Sequence, residues 1–326
     1  MLDLENAYIL FLLKKIKKEI EMKNILLLML LVAFLAPFRE VVQASANNSQ
    51  SIRAMWVWDY YASVSNEKQR NELIQFSTLH QINMLFVYTG EELSAYPDAF
   101  NNLIRLAHSK GIRIFALEGD SLWAREENHS IAIGRIEGIL KYNNEHPDSS
   151  FDGIQLDVEP YLLPDFFDQV QNIGTQYLTL LQKSRDLIHK QSMVFDAAIP
   201  FWYEDPEPTV SVTFNGQEKP LSFHILDVAD SVSIMAYRDS SEEQIRISQQ
   251  EITYAGKIGK KAYVGAETNP PDGVSIPEFI TYYDEGIRFM EIELRRIERY
   301  YKDMPGYGGI GIHWYGSFKK MAKAAI

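Results

Sequence analysis

The feature that most constrains this chain is a unit that recurs eight times between residues 51 and 326. Each copy is a short apolar run, then a polar turn, then a segment of helical periodicity. The runs are 54–59, 83–89, 113–118, 153–159, 193–200, 231–237, 261–267 and 309–314. Each is apolar at odd and even positions alike, as a strand covered on both faces must be. Helical stripes fall between most of them. Phe279, Tyr283, Ile287, Met290, Leu294, Ile297 and Tyr301 follow steps of three and four, and so do Phe100, Leu103, Ile104 and Ala107 before a stop at Gly111. A third lies within 177–188. After the fifth run the pattern changes: 209–214 followed by Asn215-Gly216 predicts a β-hairpin insertion, because Asn-Gly suits the tight primed turn. Eight strand–helix units in one domain-sized chain predict an α/β fold, a single-domain (β/α)8 TIM barrel over 47–326, with that hairpin between strands five and six. A doubly wound open sheet usually has a Gly-rich phosphate turn after its first strand, and Trp58-Asp59-Tyr60-Tyr61 is unlike one.

The N-terminus reads as an address. From Met22, Lys23 supplies a positive start, 25–38 an apolar run and Ala44-Ser45-Ala46 a small-x-small cleavage site, the layout of a secretory signal peptide over 22–46. Residues 1–21 then form an upstream extension, and Met22 is the expected start. An uncleaved anchor is the alternative. Either way the body is expected outside the cytoplasm, secreted or at the surface of a bacterial-type cell, without stable membrane insertion after processing. Cysteine is absent, which removes disulfides, thiolate metal sites and thiol nucleophiles. The formal net charge is −12, and removing residues 1–46 leaves 26 basic and 39 acidic residues. So acidic a body is a poor partner for nucleic acid. A monomer is expected.

In such a barrel, sites form at the C-terminal strand ends. Those ends read Trp58-Asp59, Tyr88-Thr89, Glu118-Gly119-Asp120, Asp157-Val158-Glu159-Pro160-Tyr161, Phe201-Trp202-Tyr203, Tyr237-Arg238-Asp239, Glu267-Thr268-Asn269 and His313-Trp314-Tyr315. Acids for proton transfer, walled by rings that stack sugars, are what glycoside chemistry requires. Strand four is the most informative. Gln155, Asp157 and Glu159 alternate, which puts them on one strand face, expected to be the barrel interior. Adjacent carboxylates repel, so one is pushed towards the neutral form that a general acid needs.

Asp152-Gly153-Ile154-Gln155-Leu156-Asp157-Val158-Glu159 resembles the strand-four signature of glycoside hydrolase family 18, the chitinase and endo-N-acetylglucosaminidase family, which is Asp-x-x-Asp-x-Asp-x-Glu. Asp152, Asp157 and Glu159 fit, and Gln155 stands where the family has an acid. Ile234-Met235-Ala236-Tyr237 resembles its strand-six Met-x-Tyr-Asp, with Arg238 at the Asp position and Asp239 one later. Trp314 matches the strand-eight Trp that floors a sugar subsite. The resemblance implies that Glu159 protonates the leaving oxygen and that Asp157 steers the substrate's own N-acetyl group as nucleophile. It also implies that Tyr237 hydrogen-bonds that acetamide. Gln155 could hydrogen-bond Asp157 without sharing its charge.

Two other readings stay open. Glu159 with Glu267 is similar to the pair of the retaining two-glutamate barrels, although Val158 stands where that clan has Asn. A non-catalytic glycan-binding barrel is the other, kept open by Gln155 and the displaced Asp239. Arg238 is expected to pair with Glu267 or Asp239. Trp58, Trp202 and Tyr203 are candidate sugar-facing rings, while Glu118 and Asp120 read as salt-bridge or rim charges. No paired-His zinc spacing, nucleophile elbow or phosphate-cradling Gly loop occurs, so no metal or other cofactor is expected.

Overall fold

The computed structural model describes residues 51–205, 210–272 and 276–324, and the proposed signal peptide lies outside them. Eight parallel strands close into a barrel. They are β1 (Ile52–Val57), β2 (Met84–Tyr88), β3 (Arg113–Glu118), β4 (Gly153–Leu156), β5 (Val194–Pro200), β8 (Ser231–Met235), β9 (Lys261–Glu267) and β10 (Tyr307–His313). Each pairs with the next in this order, and β10 returns to β1. The remaining strands, β6 (Ser211–Phe214) and β7 (Gln217–Pro220), form the antiparallel hairpin expected between the fifth and sixth barrel strands. Asn215 and Gly216 turn it with φ of 51° and 75°, the left-handed pair that a type I′ turn requires.

The main surrounding helices are α1 (Glu67–Leu79), α2 (Pro97–His108), α3 (His129–Glu145), α4 (Val170–Ile188), α5 (Leu221–Val228), α6 (Ser241–Ile258), α7 (Gly286–Tyr301) and α8 (Tyr315–Ala324). Side-chain caps fix two of their starts: Asn66 accepts from Gln69 N before α1, and Ser240 from Glu243 N before α6. Strand periodicity divides the core in two. Ala54, Trp56, Met84, Phe86, Phe115, Leu117 and Tyr263 fill the barrel's interior, while their neighbours Met55, Val57, Leu85 and Ala116 face the helix layer.

Two expectations are corrected. The stripe beginning at Phe279 becomes helix only at Gly286; Phe279 sits in a separate 3-10 turn and is 55% exposed. Strand four ends at Leu156, so Asp157 and Glu159 stand on the connection leaving the sheet. The Asp157 N–H still extends the ladder by one bond, to Glu118 O at 2.8 Å. Pro160, which has no N–H to offer a strand, then opens a 3-10 turn. No helix among the described residues is long and apolar enough to cross a membrane.

Candidate active site

At the C-terminal mouth of the barrel lies a cavity of about 350 Å3 lined by Trp56, Trp58, Asp157, Glu159, Tyr161, Ala198, Met235, Tyr237 and His313. It brings together Asp157, Glu159, Tyr237 and Trp58 of the residues expected from sequence. Burial, and then the neighbouring Glu159, hold the Asp157 carboxyl well above the usual carboxylate range. The two carboxyls lie against each other, and no N–H or O–H donor of the described residues reaches Oδ1 of Asp157. Oε2 of Glu159 accepts from the Tyr161 hydroxyl at 2.5 Å. The site thus holds two adjacent carboxyls in unlike settings, one short of donors and one anchored by a phenol.

Beneath this pair is a buried polar network inside the barrel. Gln155 accepts from Trp56 Nε1 at 2.7 Å, and its amide donates to Asp196 Oδ1 at 2.6 Å and Ser233 Oγ at 3.0 Å. Ser231 and Ser233 also donate to Asp196, at 2.6 and 2.9 Å. Gln155 therefore turns down to Asp196 and not up to Asp157, contrary to the expectation that it would bond Asp157 or line the cleft. Asp196 is fully buried and pushed up to about 6 by that burial, the three donors opposing the rise. Its charge in turn raises Asp157. Sequence reading missed Asp196, although an acid in the apolar run Val194–Pro200, opposite the small polar Ser231 and Ser233, was a visible signal. It also missed Tyr161 as Glu159's partner.

On the other side of the cavity, Trp58 Nε1 donates to His313 Nε2 at 3.1 Å. An indole N–H is only a donor, so Nε2 is the acceptor and the ring's proton sits on Nδ1. From there it donates to Glu267 Oε2 at 2.9 Å. Glu267 Oε1 also accepts from Thr268 N and Asn269 N, both at 2.7 Å. Glu267 is buried and outside the cavity lining, a fastener of the β9 and β10 ends. His313 lines the cavity.

Other expected residues fall elsewhere. Asp152 sits at the opposite end of β4, where its carboxylate accepts from Ile114 N at 2.7 Å and contacts His108 at 3.0 Å; it is a strand-start tie remote from the mouth. Trp314 is partly buried against the interior cluster and donates Nε1 to Asn269 Oδ1 at 2.9 Å. Trp202 and Arg238 line a second hollow, and Asp239 lines neither. Arg238 forms no ion pair with Glu267 or Asp239; its guanidinium packs on rings instead. Tyr203 is buried behind the wall, while Trp202 packs edge-on to Tyr161. Glu118 is buried and accepts from Thr89 at 2.6 Å, and Asp120 caps the following 3-10 turn. Among the described residues no group of acids and histidines is disposed to hold a metal ion.

No protein-family model and no curated protein matches the sequence. Solved structures do match in fold. A GH18 chitinase from Pseudoalteromonas aurantia aligns with a TM-score of 0.54 at 12% identity, over 84% of this chain and 100% of its own. The class V chitinase from Nicotiana tobaccum aligns at 0.50 and 14% identity, over 82% and 95%. A C-terminal domain from Desulfitobacterium hafniense aligns at 0.49 and 12% identity, over 67% of this chain and 66% of its own. The chain thus has the fold of glycoside hydrolases. In fold it resembles the family 18 barrels.

Proposed function

We propose that this chain is an exported hydrolase that cuts a β-linked N-acetylglucosamine-containing glycan with retention, using the substrate's acetamide as nucleophile. Glu159 gives a proton to the glycosidic oxygen as the bond to C1 breaks. The acetamide carbonyl oxygen attacks C1 and forms a cyclic oxazolinium. Asp157 accepts the acetamide N–H, which aligns that attack and stabilises the positive charge formed. Glu159, now ionised, takes a proton from the water that opens the ring, which restores the starting state. The glycan, its acetamide and this route are carried by one observation: Asp157 and Glu159 converge with Tyr237 in a cavity whose walls include Trp58 and Tyr161. The donor-poor Oδ1 of Asp157 suits an incoming N–H.

The reading also gives the raised Asp157 carboxyl a role. Burial favours keeping it on Asp157 while the cleft is empty, with Glu159 accepting from Tyr161. An acetamide N–H that seeks an acceptor shifts the proton to Glu159, which arms the acid only when substrate is bound. The rival two-glutamate route is disfavoured because Glu267 would have to break contacts with His313, Thr268 and Asn269 before attacking. The test is a screen of the protein and its Glu159→Gln variant against chitin oligomers, peptidoglycan and other polysaccharides. Cleavage that depends on Glu159 supports the reading. Binding of one glycan by the wild type, with no cleavage of any, would favour the non-catalytic barrel.

A further inference from the structure

Beside the reaction cavity is a second hollow of about 460 Å3, lined by Phe201, Trp202, Glu204, Asp205, Arg238, Arg246, Ile247 and Gln250. The two are separated by one ring wall. Tyr161 lines the first hollow and Trp202 the second, and they pack edge to face at 5.3 Å between centroids. Phe167, 53% exposed, continues this wall by stacking on Trp202 at 6.0 Å. A glycan chain leaving the reacting subsite over Trp202 would set its next residue against Arg238.

Arg238 follows Tyr237, which lines the first hollow. Its guanidinium carbon is 4.8 Å from the centroid of Phe201 and 5.5 Å from that of Phe279, so two rings hold the fork. Nη1 donates to Tyr237 O at 2.7 Å, and among the described residues this is the group's one hydrogen bond. No carboxylate of the described residues forms an ion pair with it, Glu243 and Asp239 acting on it only at longer range. The other cation of the hollow, Arg246, already spends Nε and Nη2 on Glu243. Of the hollow's acids, Glu204 is engaged by Ser222 at 3.0 Å and lies against the buried Glu251. A fixed, half-buried guanidinium with most of its donors unspent is built to receive a planar or tetrahedral anion through paired hydrogen bonds.

We propose that Arg238 makes this cleft selective for an anionic glycan: the guanidinium takes a carboxylate or phosphate substituent on the sugar residue next to the one cleaved. The proposal rests on the glycosidase reading for the path of the chain, but its test does not need turnover. Binding is measured by calorimetry for N-acetylglucosamine oligomers of one length in three forms. One is neutral, one alternates with a residue carrying an O-lactyl carboxylate, and one carries a 6-phosphate.

For the wild type, at least one anionic form is expected to bind about tenfold tighter than the neutral form, with the advantage shrinking as salt is raised. The form that gains identifies which anion is recognised. In Arg238→Gln the ratio of anionic to neutral affinity should collapse to about one. Arg238→Lys, which keeps the charge and loses the fork, should fall between. Equal or weaker binding of both anionic forms by the wild type overturns the proposal, as does a preference that survives Arg238→Gln. Cleavage of the neutral oligomer without anionic preference would sink this proposal and leave the glycosidase reading standing. Anionic preference without cleavage of any oligomer would do the reverse. No binding of any oligomer would count against both.

Discussion

At the scale of single residues, the proposed chemistry depends on how burial sorts the carboxyls. Glu159→Gln keeps size and hydrogen bonding but removes the transferable proton. General acid catalysis is worth roughly 10²–10⁴-fold, so kcat should fall by that order while the melting temperature stays close to wild type. A variant with more than half of wild-type turnover would end the assignment. Asp196 gives a prediction about stability. Its carboxyl is pushed up to about 6 by burial, above its value in the unfolded chain. The native state therefore holds the proton more tightly, and the stabilisation is fully present below pH ~4 and lost as pH rises through 6. The rise corresponds to roughly 2–3 kcal/mol. Asp196→Asn removes that slope, so its stability relative to wild type should climb by about this amount between pH 4 and 7 in urea titrations. Parallel curves for the two proteins would show that Asp196 does not titrate this way.

At the scale of elements, the site is set by how closely the ends of β3 and β4 approach. A Cβ built on Gly119 would lie 2.0 Å from the carbonyl oxygen of Asp157, so any side chain there must push aside the backbone that carries Asp157 and Glu159. Gly119→Ala is expected to lower turnover at least tenfold and the melting temperature by several degrees, since misplacement of about 1 Å at a reacting group costs on the order of 10²-fold. A neutral outcome would mean that the segment gives way without moving its carboxyls. Gly138 provides the contrast. It lies within α3, and a Cβ there meets nothing within 4 Å. Gly138→Ala should therefore stabilise the protein by about 0.5–1 kcal/mol through helix propensity, with activity unchanged. Loss of stability there would point to a partner for that helix face.

At the scale of the whole molecule, the barrel was legible because strands buried on both faces write continuous apolar runs, and all eight were read within a few residues. The hairpin was legible through Asn215-Gly216, whose φ values no other common pair adopts so readily. The end of β4 was not, because Asp157, Val158 and Glu159 continue the strand's alternation after the chain has left the sheet. Nor was the direction of Gln155, since spacing fixes a face but not which of several polar neighbours a side chain bonds. Asp152 fitted a motif and yet serves the far end of the strand, as its place just before Gly153 already implied; its partners there, Ile114 N and His108, are what only three-dimensional pairing reveals. The export proposal is checked by N-terminal sequencing of the secreted protein, which should begin after Ala46; a start at Met22 would contradict it. The central claim is the acetamide-assisted use of Asp157 and Glu159, and it is tested most directly by the hydrolysis of an N-acetylglucosamine oligomer by wild type, Asp157→Asn and Glu267→Gln, alongside incubation with a fluorinated sugar that traps glycosyl-enzymes. The account predicts wild-type turnover, a loss of about 10²-fold or more in Asp157→Asn, and no labelled carboxylate. A labelled peptide containing Glu267, with Asp157→Asn nearly as active as wild type, would contradict it.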